Sequence, residues 1–152
     1  MNPLTIYQDA LNTVSQAVLA GDFRRYVGMI DLPYLVHTAT HDLLVTTTAE
    51  LLPTFVSLHE GLCARGATHY ERVARSADYV DRDRIEGWHF THMIANGHAV
   101  KCPHAASQTL VRRGKVWLFS EARYDALKGA RWPLTFNEIF DAATVAAPQV
   151  VQ

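Results

Sequence analysis

His89, Thr91, Met93, Ser107, Thr109, Phe119, Glu121 and Arg123 are the residues of this chain whose types and spacing could do chemistry. His89, Thr91 and Met93 alternate along one strand-like run, Arg84–Asn96, and Phe119, Glu121 and Arg123 alternate along another, Ser107–Arg123. Side chains on a strand switch faces at every residue, so each alternating set lies on one face. An imidazole exchanges protons near neutral pH, and an arginine beside a glutamate keeps the carboxylate ionised where solvation is poor. With the hydroxyls of Thr91, Ser107 and Thr109, such groups could move a proton on a small molecule and hold its polar end. The opposite sets are bulky: Trp88, Phe90 and Ile94 on the first run, Val116 and Leu118 on the second, which turns at Arg112-Arg113-Gly114-Lys115. One face is expected to line a cavity and the other to pack against something. In the alternative structural role, the polar groups satisfy one another and fix the sheet.

Eight histidines invite a metal site, but their spacing argues against one. His89 and His92 sit an odd number of residues apart and point to opposite faces of a strand. His37 and His41 flank a turn, whereas His98, Cys102 and His104 fall in a connection, and a zinc site needs about four convergent ligands. No metal and no cofactor are expected. Cys63 and Cys102 have neither metal nor redox spacing and read as reduced thiols.

The elements that must position these groups follow from periodicity. Leu4, Leu11, Val14, Ala17 and Val18 recur at helical spacing and predict a helix over Thr5–Ala20, closed by Gly21. A short helix is expected over Asp22–Ile30, then a hairpin of Tyr34–Thr38 and Leu43–Thr46 around Thr40-His41-Asp42. Thr47 and Glu50 have capping-box spacing and open a third helix to Arg65, in which Pro53 predicts a kink or a later start. Ala67–Ala74 and Ala77–Val80 read as strands ahead of the two long ones. The remainder, Ala126–Gln152, holds a short helix over Asn137–Ala142 and a tail.

A chain of 152 residues, 49% of them hydrophobic, is expected to form one domain over 1–152, with its core over 5–125 and a C-terminal extension over 126–152. Its 14 basic and 15 acidic residues are scattered, and the only basic pairs are Arg24-Arg25 and Arg112-Arg113, so nucleic acid is not an expected partner. No run approaches the roughly 20 apolar residues that span a bilayer, and Met1-Asn2-Pro3-Leu4 lacks a signal-peptide layout. A cytoplasmic protein without a membrane partner is expected.

The order of elements, the Leu19-Ala20-Gly21-Asp22-Phe23 turn and the Gly114-Lys115-Val116-Trp117 strand opening resemble the nuclear transport factor 2-like (SnoaL-like) superfamily over Thr5–Tyr124. The resemblance implies an α+β cone, a strongly curved antiparallel sheet wrapped around three N-terminal helices. It places His89, Thr91, Ser107, Thr109, Glu121 and Arg123 together on the concave face. Where ketosteroid isomerases of that superfamily carry a tyrosine and two aspartates, this chain has Val14, Thr38 and Ser107, so steroid-type proton abstraction is not expected. Ala67-Thr68-His69-Tyr70, Gly87-Trp88-His89, Val116-Trp117-Leu118-Phe119, and Arg131-Trp132 followed by Asn137-Glu138-Ile139-Phe140-Asp141 are similar to segments of scytalone dehydratase in the same order. That likeness implies a lid over Ala126–Phe140 that brings Trp132 to the ligand, with His69 matching one catalytic histidine. The second histidine falls at Ala95, the tyrosine–aspartate pair at Val18 and Leu19, and Ser107 replaces a pocket asparagine.

The expected function is small-organic-ligand binding in the cone. Any catalysis would be cofactor-free dehydration or isomerisation, with His89 or His69 as acid/base and Glu121 and Arg123 in support. A non-catalytic ligand-binding or dimerisation module is the alternative, and an epoxide-hydrolase-like site has only the Glu121–Arg123 proximity behind it. A convex patch of Trp88, Phe90, Ile94, Leu110, Val116 and Leu118 is expected to pair two copies as a homodimer.

Overall fold

In the computed structural model, which describes residues 1–141, the chain opens with helix α1, Pro3–Ala20. The Asn2 side chain accepts the Leu4 N–H at 2.8 Å and Pro3 stands in the first turn, where a missing N–H costs nothing, so the helix starts ahead of the expected Thr5. Gly21, at φ 75°, ends it in the left-handed conformation. Tyr7, Leu11, Val14 and Val18 form its buried stripe. Helix α2, Phe23–Val27, is capped by Asp22 and stays short because β1 already begins at Ile30.

Strands β1 (Ile30–Thr38) and β2 (Asp42–Val45) make the expected hairpin, and α3 (Thr48–Ala64) follows. Thr47 and Glu50 complete the capping box, and Pro53 is carried inside α3 without ending it. Strand β3 (His69–Asp81) is continuous where two pieces are expected, because a register shift between Ala74 and Ser76 absorbs the break in pattern. Then come β4 (Arg84–Ala95), β5 (His98–Ala99), β6 (His104–Arg113), β7 (Val116–Tyr124) and α4 (Phe136–Asp141). The last residue of the expected final helix, Ala142, and the tail Ala143–Gln152 lie outside the described residues.

The sheet order is β2-β1-β7-β6-β4-β3, with β5 beside β4. Only β1 and β7 run parallel among these pairs, so the curved, unclosed sheet is mixed. Helix α1 packs along β3 on the concave side. Directly opposed residues of an antiparallel pair share a face. On β4, Ile85, His89, Thr91 and Met93 are buried on the inner face, opposite Leu110, Ala106 and His104 of β6 and Tyr70 and Arg72 of β3. Trp88, Phe90, His92 and Ile94 occupy the outer face, half-buried. Helix α4 lies against α3 and closes over the inner face, its Phe140 ring 6.3 Å from Tyr70 and 5.4 Å from His104.

Candidate functional site

A bulge on β7 decides which of the expected site residues meet. Thr109 pairs with Glu121 but Leu110 pairs with Phe119, which leaves Ser120 as an extra residue and inverts the alternation. Phe119 therefore faces into the cone with Ala122 and Tyr124, while Glu121 and Arg123 face out. Their expected place on the concave face is corrected by that one residue. Ser107 and Thr109 share the correction: they oppose Trp88 and Glu86 across β4 and stand outside. There Ser107, Thr109, Trp88 and Arg123 line an open depression of about 230 Å³. Leu110 shifts the other way; it is fully buried inside and is no part of the outer apolar patch.

Two further expectations are corrected. His69 is exposed on the outer face, opposite Ile94, and its Nδ1 lies 2.9 Å from the Thr68 hydroxyl. The Trp132 indole donates to the Glu50 carbonyl at 2.7 Å, tying the C-terminal segment to the start of α3 instead of reaching the cone interior. His89, Thr91, Met93 and Phe119 are the expected site residues that lie inside.

His89 is 1% exposed, and its Nδ1 is 2.8 Å from the Tyr7 hydroxyl. Burial holds its imidazole well below the usual histidine value, and the neighbouring Arg72 and His104 push the same way. It is neutral at pH 7 and fixed by its tyrosine. His104 lies one row along, paired with Thr91, and burial lowers its value as well. Its Nδ1 is buried without a hydrogen-bond partner among the described residues, with the Phe140 ring 5.4 Å away.

Inside the cone is a cavity of about 40 Å³ whose polar lining is Tyr26, Tyr34, Tyr70, Arg72, Gln108 and Tyr124. Val14, Leu58, Phe119, Ile139 and Phe140 supply apolar wall. The four tyrosine hydroxyls and the Gln108 amide make no side-chain hydrogen bond among the described residues and line the cavity, none of them being a fully enclosed atom. Burial pushes the Tyr124 phenol up to about 12 and raises Tyr26, Tyr34 and Tyr70 too, against the lowering pull of Arg72. These phenols are neutral donors at physiological pH. Tyr70 and Arg72 alternate on an expected strand and so share a face, but that spacing alone does not show the face to be buried.

The outer face carries an ionic network instead. His37 sits between two carboxylates, Nδ1 at 2.8 Å from Asp42 and Nε2 at 2.6 Å from Glu121. Glu121 also pairs with Arg84, and Arg123 lies 3.9 Å from it. Partial burial raises the Glu121 carboxyl, but the His37 hydrogen bond and the Arg84 charge outweigh it and hold the group below its usual value. The network stitches β2, β1, β7 and β4 together and does not open on the cone. Among the described residues no group of three or more His, Cys, Asp or Glu is placed to hold a metal ion, and no helix is long and apolar enough to cross a membrane.

No family model and no curated protein matches the chain. Solved structures do match, and they show the nuclear transport factor 2-like, cystatin-like fold. A domain of unknown function with a cystatin-like fold from Nostoc punctiforme superposes with a TM-score of 0.59 at 8% identity, covering 80% of this chain and 75% of that one. A nuclear transport factor 2-like protein with a cystatin-like fold from Novosphingobium aromaticivorans gives 0.55 at 14% identity, covering 84% of each chain. A hexachlorocyclohexane dehydrochlorinase of the LinA type from Novosphingobium barchaimii gives 0.53 at 12% identity, covering 78% of this chain and 82% of that one.

Proposed function

We propose that the chain is a binding domain for a small, partly apolar organic molecule held inside the cone. The observation that carries this is the set of six polar side chains around one cavity, whose four hydroxyls and amide make no side-chain hydrogen bond among the described residues. At about 40 Å³ the cavity has room for a few waters, at roughly 10–15 Å³ each, and is too small for an organic molecule. An organic ligand therefore enters by displacing Ile139 and Phe140, the part of α4 that lines it. In this proposal residues 1–152 act as one cytoplasmic domain, with Ala126–Phe140 as the lid and no nucleic-acid or membrane partner.

Amide and aromatic NMR shifts mapped during a fragment screen test the assignment, run on the native chain and on Phe140→Ala, which enlarges the cavity. Perturbations should centre on Tyr34, Gln108 and Phe119. Binding confined to the outer depression at Trp88 and Arg123 would reject it. A second reading, cofactor-free elimination, dehydration or isomerisation, is favoured by the buried, partnerless Nδ1 of His104 and by a dehydrochlorinase among the fold's solved members. In that reading His89→Asn or His104→Asn lowers turnover of a bound fragment by about a hundredfold or more with affinity retained. His69 and Glu121, outside the cone, have no part in it.

Two copies are proposed to pair through the outer face. Trp88 and Phe90 pack edge to face there, 5.4 Å apart, and the Trp88 indole N–H is buried without an acceptor among the described residues. Leu118→Arg should turn a dimer into a monomer in sedimentation at micromolar concentration, because the pairing would bury an unpaired charge. A monomeric native chain under those conditions would remove the idea.

A further inference from the structure

Arg72 brings to the cavity a charge that no carboxylate among the described residues balances, its guanidinium lying over the Tyr70 ring at 5.7 Å. It is 7% exposed, and among the described residues no carboxylate lies within ion-pairing distance. Its Nε donates to the Ser15 hydroxyl at 2.8 Å, and one terminal nitrogen reaches the Leu11 carbonyl at 3.4 Å. A guanidinium carries five N–H donors, so among the described residues most of its terminal donors lack an acceptor. A buried cation without a counter-charge is costly, and proteins ordinarily pair such groups.

We propose that the ligand of the cone carries one carboxylate-type negative charge on a small apolar body, held by Arg72 and the surrounding tyrosine hydroxyls. This rests on the cone being the ligand site. The lining is rich in donors: the free N–H groups of Arg72, four phenols and the Gln108 amide, against few atoms that can only accept. Such a surface complements a ligand group that only accepts, which is what a carboxylate is. The guanidinium fork matches two carboxylate oxygens. Because His89 and His104 are held neutral and the phenols stay protonated, Arg72 is the one net charge at the cavity among the described residues, and a dianion would bring a second charge into an apolar wall. Val14, Leu58, Phe119 and Ile139 suit a hydrocarbon body.

Titration calorimetry with benzoate, its neutral isostere benzamide, and inorganic phosphate tests this, using the native chain and Phe140→Ala. Benzoate should bind at least about tenfold tighter than benzamide in one or both proteins, and Arg72→Gln should bring that ratio close to unity. Should Arg72→Gln fail to fold, the acid-to-amide ratio in the two folded proteins decides alone, and Tyr124→Phe should weaken benzoate more than benzamide. Equal affinity for acid and amide, phosphate binding tighter than benzoate, or an undiminished benzoate preference in Arg72→Gln would each overturn the proposal. Neutral fragments seated in the cone with no gain from charge defeat this inference and leave the binding function standing. Absence of any compound from the cone in both proteins defeats the two together.

Discussion

Acidifying the protein from pH 7.5 to 5.5 should lower its unfolding free energy by on the order of 1 kcal/mol, mainly through His89, with a smaller loss through His104. Both imidazoles are held neutral by burial, His89 the more strongly, and both regain an ordinary value near 6.5 once the chain unfolds. Below that value the unfolded chain takes up protons that the folded chain refuses, so the unfolded state gains and stability falls as the pH drops. The loss continues until the pH reaches the depressed folded value of each histidine. Glu121 acts in a lower window with the same sign of shift: its folded value is depressed too, so its contribution is present above the usual carboxylate value of 4.5 and disappears as the pH falls through the folded value. Two separate descents are therefore expected in denaturant midpoints measured between pH 8 and 3. His89→Asn should flatten the upper one while leaving the lower in place. A profile flat from 7.5 to 5.5 would show that these histidines are solvated or charged in the folded protein.

The inner face of β4 was legible because no bulge interrupts the alternation from Ile85 to Met93; His89 and Thr91 follow from period two alone. On β7 the same rule fails at Ser120. An extra residue opposite Thr109 and Leu110 is a property of the β6–β7 pairing, and nothing local to Phe119-Ser120-Glu121 signals it. The partner of Glu121 was equally out of reach, since His37 lies 84 residues away in sequence and meets it only through the parallel pairing of β1 and β7. Arg72 was missed for another reason. A charged residue on a strand is ordinarily read as solvated, and only packing against Ser15 and Leu11 of α1 shows it to be buried. Capping, by contrast, is chemistry of near neighbours, and Thr47 with Glu50 marked the start of α3 directly from spacing. The fold is thus read from local signals, whereas the site depends on register.

Replacing Gly61 by alanine should loosen α4 and leave α3 intact. Gly61 lies inside α3, where alanine is the better helix former by about 1 kcal/mol, so on propensity alone the substitution would stabilise. Packing opposes this. A Cβ at position 61 would stand 2.4 Å from Phe136 Cγ and 2.5 Å from its Cδ2, closer than carbon atoms approach. Phe136 has little freedom to retreat: its N–H donates to the Ser57 hydroxyl at 2.9 Å, and the Arg65 guanidinium covers its ring at 4.3 Å. Overpacking of this kind costs about 1–3 kcal/mol, and α4, a single short helix, is the part able to move. Amide exchange in Phe136–Asp141 should quicken by about five- to a hundredfold while the amides of α3 keep their protection. Because Ile139 and Phe140 line the cavity, the same variant should admit a cone ligand faster than the native chain does. Faster exchange without faster association would mean that ligands reach the cone by a route that does not pass α4. Unchanged exchange in α4 would mean that the Phe136 contact does not hold the helix in place.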